Sequence, residues 1–375
     1  MGMKQTSGRM LWKTCFLLIL ALLLLLSCSC QSQEETLKLG YLGSLTGDAA
    51  SIGPPGVAGA QLAIQEINNA GGVLGKKLAL IVEDDACSSK SVEAMNKLVH
   101  FDHVLAVSGP DCGSAAGPAL PIAQEAKVPV VIRWASAPDL THVGDYIFRI
   151  FPSDLFQGTY AAEYAFNQLG KRKVAVLYVK NDYGQGLRDV FTKHFTELGG
   201  KIVFDESHNQ EDTDVRTSLI KAQEKGPDLV YMPTYRAVGR VALQQMKELG
   251  FNVFILAGDA FDTNEIIQVP EAEGVIYPTA ITANPDWFRQ KVFQATGVEE
   301  NHITASLAYD SIWVIAEAIK RAGSLDRAKI RDALAKTSYK GVSAPLIELD
   351  ENRDMKAATY EMRLIQNGKS VVYEN

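Results

Sequence analysis

Residues 37–82 read LKLGYLGSLTGDAASIGPPGVAGAQLAIQEINNAGGVLGKKLALIV, and their pattern decides the fold class. The apolar run Leu37–Leu42 has the continuous character of a strand buried on both faces. Val57 to Asn68 is amphipathic at helical spacing, and Ala70-Gly71-Gly72 supplies the glycine stop that ends such a helix. Lys77–Val82 returns to a strand. The product is a strand–helix–strand unit, in which the helix is the crossover a parallel pair requires.

The unit repeats along the chain. Ser89 to Val99 and Ala115 to Ala126 read as helices, and Val104–Ser108 and Val128–Ile132 as strands. A second series starts with helical Thr159–Leu169 and runs through strand Val174–Val179, helix Gly186–Leu198 and strand Lys201–Phe204. Helix Val215–Glu224, strand Leu229–Met232, helix Arg240–Leu249 and strand Val253–Leu256 complete it. Strands alternating with helices imply doubly wound parallel α/β sheets. Two series, and about 345 residues after export, imply two similar lobes rather than one core. The tail departs from the pattern: after helical Thr304–Ala322 and Ala328–Leu334, segments Pro345–Asp350 and Thr359–Ile365 read as antiparallel strands.

The N-terminus sets the compartment. Lys4, Arg9 and Lys13 precede the apolar run Cys15–Leu26, with no acid in the first 27 residues. A run of about a dozen residues falls short of the roughly 20 that span a bilayer, so residues 1–27 read as a secretory signal rather than an uncleaved anchor. Leu25-Leu26-Ser27-Cys28 has the form of a bacterial lipobox, with Cys28 acylated and residues 28–35 as a tether. The expected location is the periplasm or cell surface, with the chain held on the membrane by its lipid. Removing three signal residues from 37 Lys and Arg leaves 34 against 44 Asp and Glu. That acidic balance argues against nucleic acid. Cys87 and Cys112 remain in the body, where they can form a bridge or stay as two buried thiols. A bridge would close a loop of about 25 residues, worth roughly 3–4 kcal/mol by chain entropy.

Ligands of open α/β sheets bind beyond the carboxyl ends of the strands, which singles out loops 108–114, 133–138 and 256–259. Ser114 stands where a helix begins; it either caps that helix or joins its free N–H groups in holding an anion. Ser136 has the same two readings, and Trp134 walls a pocket or fills the core. Catalysis finds no support. No Gly-x-Ser-x-Gly elbow occurs, and Gly71 to Lys77 lacks the spacing of a phosphate-binding loop. Among the histidines only His100 and His103 approach metal-ligand spacing, at a helix end and a strand start. Asp84-Asp85 lies at a strand end, where adjacent acids face solvent or cap a loop. No cofactor or metal is expected.

From Leu37 onward the chain resembles the branched-chain amino-acid-binding proteins of bacterial ABC importers. The resemblance rests on Gly43-Ser44-Leu45-Thr46-Gly47, Gly59-Ala60, Gly71-Gly72-Val73, Asp84-Asp85-Ala86-Cys87, Ala137-Pro138-Asp139-Leu140-Thr141, Asn181-Asp182-Tyr183-Gly184-Gln185-Gly186 and Tyr309-Asp310. It implies the type I periplasmic binding fold, two doubly wound parallel-sheet lobes joined by a three-crossing hinge. Lobe one would comprise 36–152 and 280–343, and lobe two 153–279 and 344–375. It also implies a Cys87–Cys112 disulfide and a monomer that delivers an amino-acid-like ligand to a permease. Carried over by position, Gly113 and Ser114 receive the ligand carboxylate, and Trp134 stands where the family has a small residue. Ser136 keeps a hydroxyl, Tyr235 closes over the ligand, Asp259 takes the α-ammonium, and Ile52 adds an apolar wall. The same fold admits two alternatives: a small carboxylate or amide as ligand, or a sensor for a membrane receptor.

Overall fold

The computed structural model describes residues 36–297 and 302–373, so the signal, Cys28 and the whole tether lie outside the described residues. The first series is β1 (Leu37–Gly43), α1 (Gly53–Asn69), β2 (Leu78–Asp84), α2 (Ser91–Asn96), β3 (Val107–Ser108), α3 (Gly113–Glu125), β4 (Val130–Ile132) and β5 (Ile147–Arg149). Its five strands are parallel and lie in the order β2-β1-β3-β4-β5. The second series is α4 (Asp154–Glu163), β6 (Lys173–Val179), α5 (Asp182–Glu197), β7 (Lys201–His208), α6 (Arg216–Glu224), β8 (Leu229–Met232), α7 (Arg236–Glu248), β9 (Phe254–Ala257), the short α8 (Asn264–Ile267) and β10 (Ile276–Ala280). Its parallel strands lie in the order β7-β6-β8-β9-β10, the winding of the first sheet repeated.

The chain then adds α9 (Asp286–Thr296), α10 (His302–Ala322), α11 (Arg327–Leu334) and the antiparallel pair β11 (Ser338–Tyr339) and β12 (Ile347–Glu348). It ends in β13 (Tyr360–Gln366) and β14 (Lys369–Val372), which extend the second sheet antiparallel beside β10. Both faces of each sheet are covered. Leu39, Tyr41 and Phe148 pack with α1 and α10 on one face of the first sheet, and Leu42, Val107 and Ile132 with α2 and α3 on the other. In the second sheet, Ala175, Leu177 and Val230 meet α6 and α7, and Val174, Val176 and Tyr231 meet α4 and α5. Burial on both faces is what makes these strands read as unbroken apolar runs. Helices α1 and α10 approach very closely at Gly59, where a Cβ would lie 2.0 Å from the Ala305 carbonyl oxygen.

Six elements were not visible in the sequence: β5, α8, β10, α9, β11 and β14. Strand β5 is only three residues long and ends in the buried Arg149. Strand β10 contains Pro278, paired opposite Met362, and proline argues against an interior strand because it cannot donate to the ladder. The segment after 343 also departs from the expected division. Ala344, Ile347 and Met355 pack into the first core rather than with the second sheet. Arg149 Nε donates to Asp354 at 2.8 Å, which ties this segment to β5, so the crossing to β13 comes after Met355.

Candidate functional site

The carboxyl ends of the two sheets both line a cavity of about 60 Å³. Ala49 and Ile52 reach it from the loop after β1, Gly113 from the loop after β3, and Trp134 and Ser136 from the loop after β4. From the second sheet come Tyr183 after β6, Tyr235 after β8 and Asp259 after β9. Six of the seven residues singled out in the sequence therefore line one space: Ile52, Gly113, Trp134, Ser136, Tyr235 and Asp259. Two hydrogen bonds join the opposing walls, Gln210 Nε2 to the Cys87 carbonyl at 3.1 Å and Arg236 Nη1 to Ser51 Oγ at 3.0 Å.

Ser114 is the seventh: it does not line the cavity, although its hydroxyl lies against that of Tyr235, which does. Its Oγ donates to the Cys87 carbonyl at 2.6 Å, and the residue lines a separate surface groove with Ser88 and Asn181. Nor does it cap the helix. Cys112 holds the N-cap position without a side-chain bond, so α3 begins with its first amides uncapped beside the cavity. The Tyr235 hydroxyl lies against the Ser114 hydroxyl and the Ser114 and Gly113 amides without a well-formed hydrogen bond. Burial pushes its pKa up, and these neighbours offset part of the rise. The loop carrying Gly113 is held from behind. Cys87 and Cys112 lie with their Cα atoms 5.4 Å apart and their sulfurs within bonding distance. Asp84 caps the loop after β1 through Leu45 N at 2.9 Å and Thr46 Oγ1 at 2.5 Å. Asp85 does not face solvent: it is buried, bonded by Ser44 Oγ and Cys87 N, and burial raises its pKa to about 6.

The opposite end of the cavity is acidic. Asp259 is half-buried, with Oδ1 accepting from Tyr183 Oη at 3.0 Å and its amide donating to Gln157 Oε1 at 3.2 Å. Gln157 also lies 3.4 Å from Asp154 Oδ1, which links the two acids. Burial raises both carboxyls above the usual range. Asp259 adds to the rise at Asp154, while Ser136 and Arg149 offset part of it. Asp154 Oδ2 and the hydroxyls of Tyr231 and Tyr360 are buried here without partners. Among the described residues neither acid is ion-paired to a lysine or arginine, and Arg236, which also lines the cavity, is paired with Glu265, so the end that carries Asp259 suits a cation or a hydrogen-bond donor.

Tyr183 stacks on Tyr235, with ring centroids 5.1 Å apart. The sequence reading left Tyr183, Asp154 and Gln157 outside the site. Tyr183 lies just beyond the carboxyl end of β6, and applying the strand-end rule at β6 as well as at β9 would have found it. His100 and His103 do not line the cavity, and no cluster of His, Cys, Asp and Glu suited to a metal occurs among the described residues. No described helix is long and apolar enough to cross a membrane.

Comparisons with known proteins agree with this geometry. A leucine-, isoleucine-, valine-, threonine- and alanine-binding protein of Pseudomonas aeruginosa is 30% identical over 331 residues, covering 86% of this chain and 88% of its own length. The crystal structure of leucine-binding protein LivK from Thermotoga maritima superposes with a TM-score of 0.82 at 29% identity, covering 90% of this chain and 98% of that one. The branched-chain amino acid transporter substrate-binding protein LivJ from Streptococcus pneumoniae, solved with isoleucine, gives a TM-score of 0.77 at 29% identity over the same shares. The family model described as periplasmic binding protein matches residues 36–369, and the chain belongs to that family.

Proposed function

We propose that the chain is an extracytoplasmic solute-binding protein, lipid-anchored through Cys28, that captures an amino acid, branched-chain or a related aliphatic, for an ABC importer. It performs no chemistry on its ligand. One observation carries the reading: a single cavity presents uncapped helix amides at one end and buried acids at the other, with apolar and aromatic walls between. The carboxylate of the amino acid meets the Gly113 and Ser114 amides, where the helix dipole favours an anion. The ammonium meets Asp259, with Asp154 behind it and Ser136 between the two ends. Ile52 and Trp134 flank the side chain, and Tyr235 closes over the head group.

The walls come from different sheets, so capture requires the two lobes to hinge apart and close. Ligand bonds to both walls would stabilise the closed form that a permease distinguishes from the open one. A Cys87–Cys112 disulfide would hold the Gly113 loop in place through this motion. An amine-free carboxylate is the competing occupant, because the Trp134 ring stands where the resemblance has a small residue.

Mass spectrometry of the protein extracted from membranes tests the whole reading. The expected spectrum shows an acylated N-terminus at Cys28, a two-proton mass gain on reducing the body, and a co-purified aliphatic amino acid. An aromatic acid in its place would overturn the amino-acid assignment and leave the family untouched.

Binding should also be linked to protons. Burial favours the protonated forms of Asp259 and Asp154 when the site holds no cation. An ammonium beside them lowers their pKa, so binding releases protons and affinity rises with pH. It then falls on acidification, starting well above pH 4, by up to about tenfold per pH unit for each proton exchanged. Titration calorimetry in buffers of different ionisation enthalpy measures the release directly. Zero release at every pH down to the acid limit of binding would remove the acids from the ammonium site.

A further inference from the structure

Trp134 walls one side of the cavity described above, and its ring is held in place from two directions. It packs toward Ala49, Ile52 and Cys87 in one. In the other it meets Phe151, with ring centroids 6.0 Å apart, beside Ala280 and Leu307. The loop that carries the ring is pinned as well. The Ser136 carbonyl accepts from the Asp154 amide at 2.8 Å, and the Ala137 carbonyl from Arg149 Nη1 at 2.7 Å. Arg133, the residue before the ring, is wholly enclosed and paired with Asp111. A wall anchored in this way resists displacement by an oversized ligand.

The space enclosed by that wall is small. At about 60 Å³ the cavity has room for roughly four or five waters, equivalent to about 120–150 Å³ of liquid. Alanine and threonine fall within that bulk, valine lies at its edge, and leucine exceeds it. With the carboxylate at the Gly113 amides and the ammonium at Asp259, the ligand side chain is left facing Ile52 and Trp134. A second, larger space of about 290 Å³ also has Trp134 in its lining and shares Asp259, Asp262 and Thr263 with the first. Room for a longer side chain therefore exists, and an indole stands across the way to it.

We propose that Trp134 determines specificity by size: it stops the ligand side chain short of the second space, so the site selects compact amino acids up to valine. This deepens the amino-acid reading of the first cavity and rests on it. Leucine must press an extra methylene against the fixed ring, and phenylalanine a whole ring. Overpacking of this kind costs affinity, and one methylene in an apolar pocket changes binding by about tenfold or more. Shortening Trp134 joins the two spaces and moves the limit upward.

Calorimetric titration of the exported protein with alanine, valine, leucine and phenylalanine tests this, in the wild type and in Trp134→Ala. The wild type should bind valine about tenfold or more tighter than leucine, with no measurable binding of phenylalanine. In Trp134→Ala leucine should draw level with valine or pass it, and phenylalanine should become a ligand. Trp134→Leu keeps an apolar side chain in the core. It should move the valine-to-leucine ratio in the same direction, and it carries the test if the alanine variant does not fold. Leucine binding the wild type as tightly as valine, or a ratio unmoved in the folded variants, would overturn the size limit and leave the amino-acid reading standing. Failure of all four to bind the wild type would overturn the two together.

Discussion

Asp259→Asn is expected to weaken amino-acid binding by roughly 30- to 1,000-fold, about 2–4 kcal/mol, while raising the melting temperature of the ligand-free protein. The two effects share one cause. The Asp259 carboxyl is half-buried, and burial raises its pKa. An acid in this position contributes stability below its unfolded pKa and loses that contribution as pH rises through the folded one. At neutral pH its ionised form is therefore a cost to the empty protein. Asparagine keeps the shape and can still accept from the Tyr183 hydroxyl, which bonds Oδ1 at 3.0 Å, but it carries no charge to bury. The same neutrality deprives a bound ammonium of its partner. Sites that trade stability for affinity behave in this way. Leucine titrations and thermal melts at pH 7.5 supply both readings. Affinity within threefold of wild type would remove Asp259 from the ammonium site, and a lowered melting temperature would show that its charge is already compensated.

The repeating fold was legible because buried parallel strands and their covering helices write two distinct periods into the chain. The observed winding of β2-β1-β3-β4-β5 and β7-β6-β8-β9-β10 follows from that alternation. What stayed hidden depends on contacts distant in sequence. Pro278 disguised β10, and segment 344–355 joins the first core through Ile347, Met355 and the Arg149–Asp354 pair. The strand-end rule and the resemblance together found six of the cavity residues. Ser114 departed from expectation because its hydroxyl direction is set by the Cys87 carbonyl, on a different loop. Asp154 escaped notice for a local reason. It follows Ser153, whose Oγ accepts from Leu155 N at 3.3 Å as the cap of α4, so it reads as an ordinary first-turn acid. Only the fold brings it beside Asp259.

Arg133 was hidden in the same way. Beside Trp134 in a polar loop it reads as an exposed charge, since arginine is seldom fully buried without a partner, yet its side chain is wholly enclosed. Its Nε and Nη2 donate to the two Asp111 oxygens at 3.0 and 2.9 Å, and Nη2 also reaches the Leu42 carbonyl at 2.8 Å. The guanidinium lies 3.8 Å over the Tyr41 ring. These bonds tie the end of β1 to the loop that presents Gly113 to the cavity. Arg133→Ala is expected to lower unfolding stability by about 3–5 kcal/mol, because it leaves Asp111 buried without a cation. Burial already raises the Asp111 pKa, with Arg133 opposing the rise. In the variant the pKa climbs further, so the deficit should be largest at neutral pH and shrink as acid protonates Asp111. Removing both charges with Arg133→Met and Asp111→Leu should recover most of the loss, since a buried pair is often replaceable by apolar side chains of similar volume. Urea denaturation at pH 7.5 and pH 5 separates these cases. A deficit of the same size at both pH values would point to lost packing against Tyr41 rather than an uncompensated charge. Stability in Arg133→Ala within about 1 kcal/mol of wild type would show that the pair does not hold the loop.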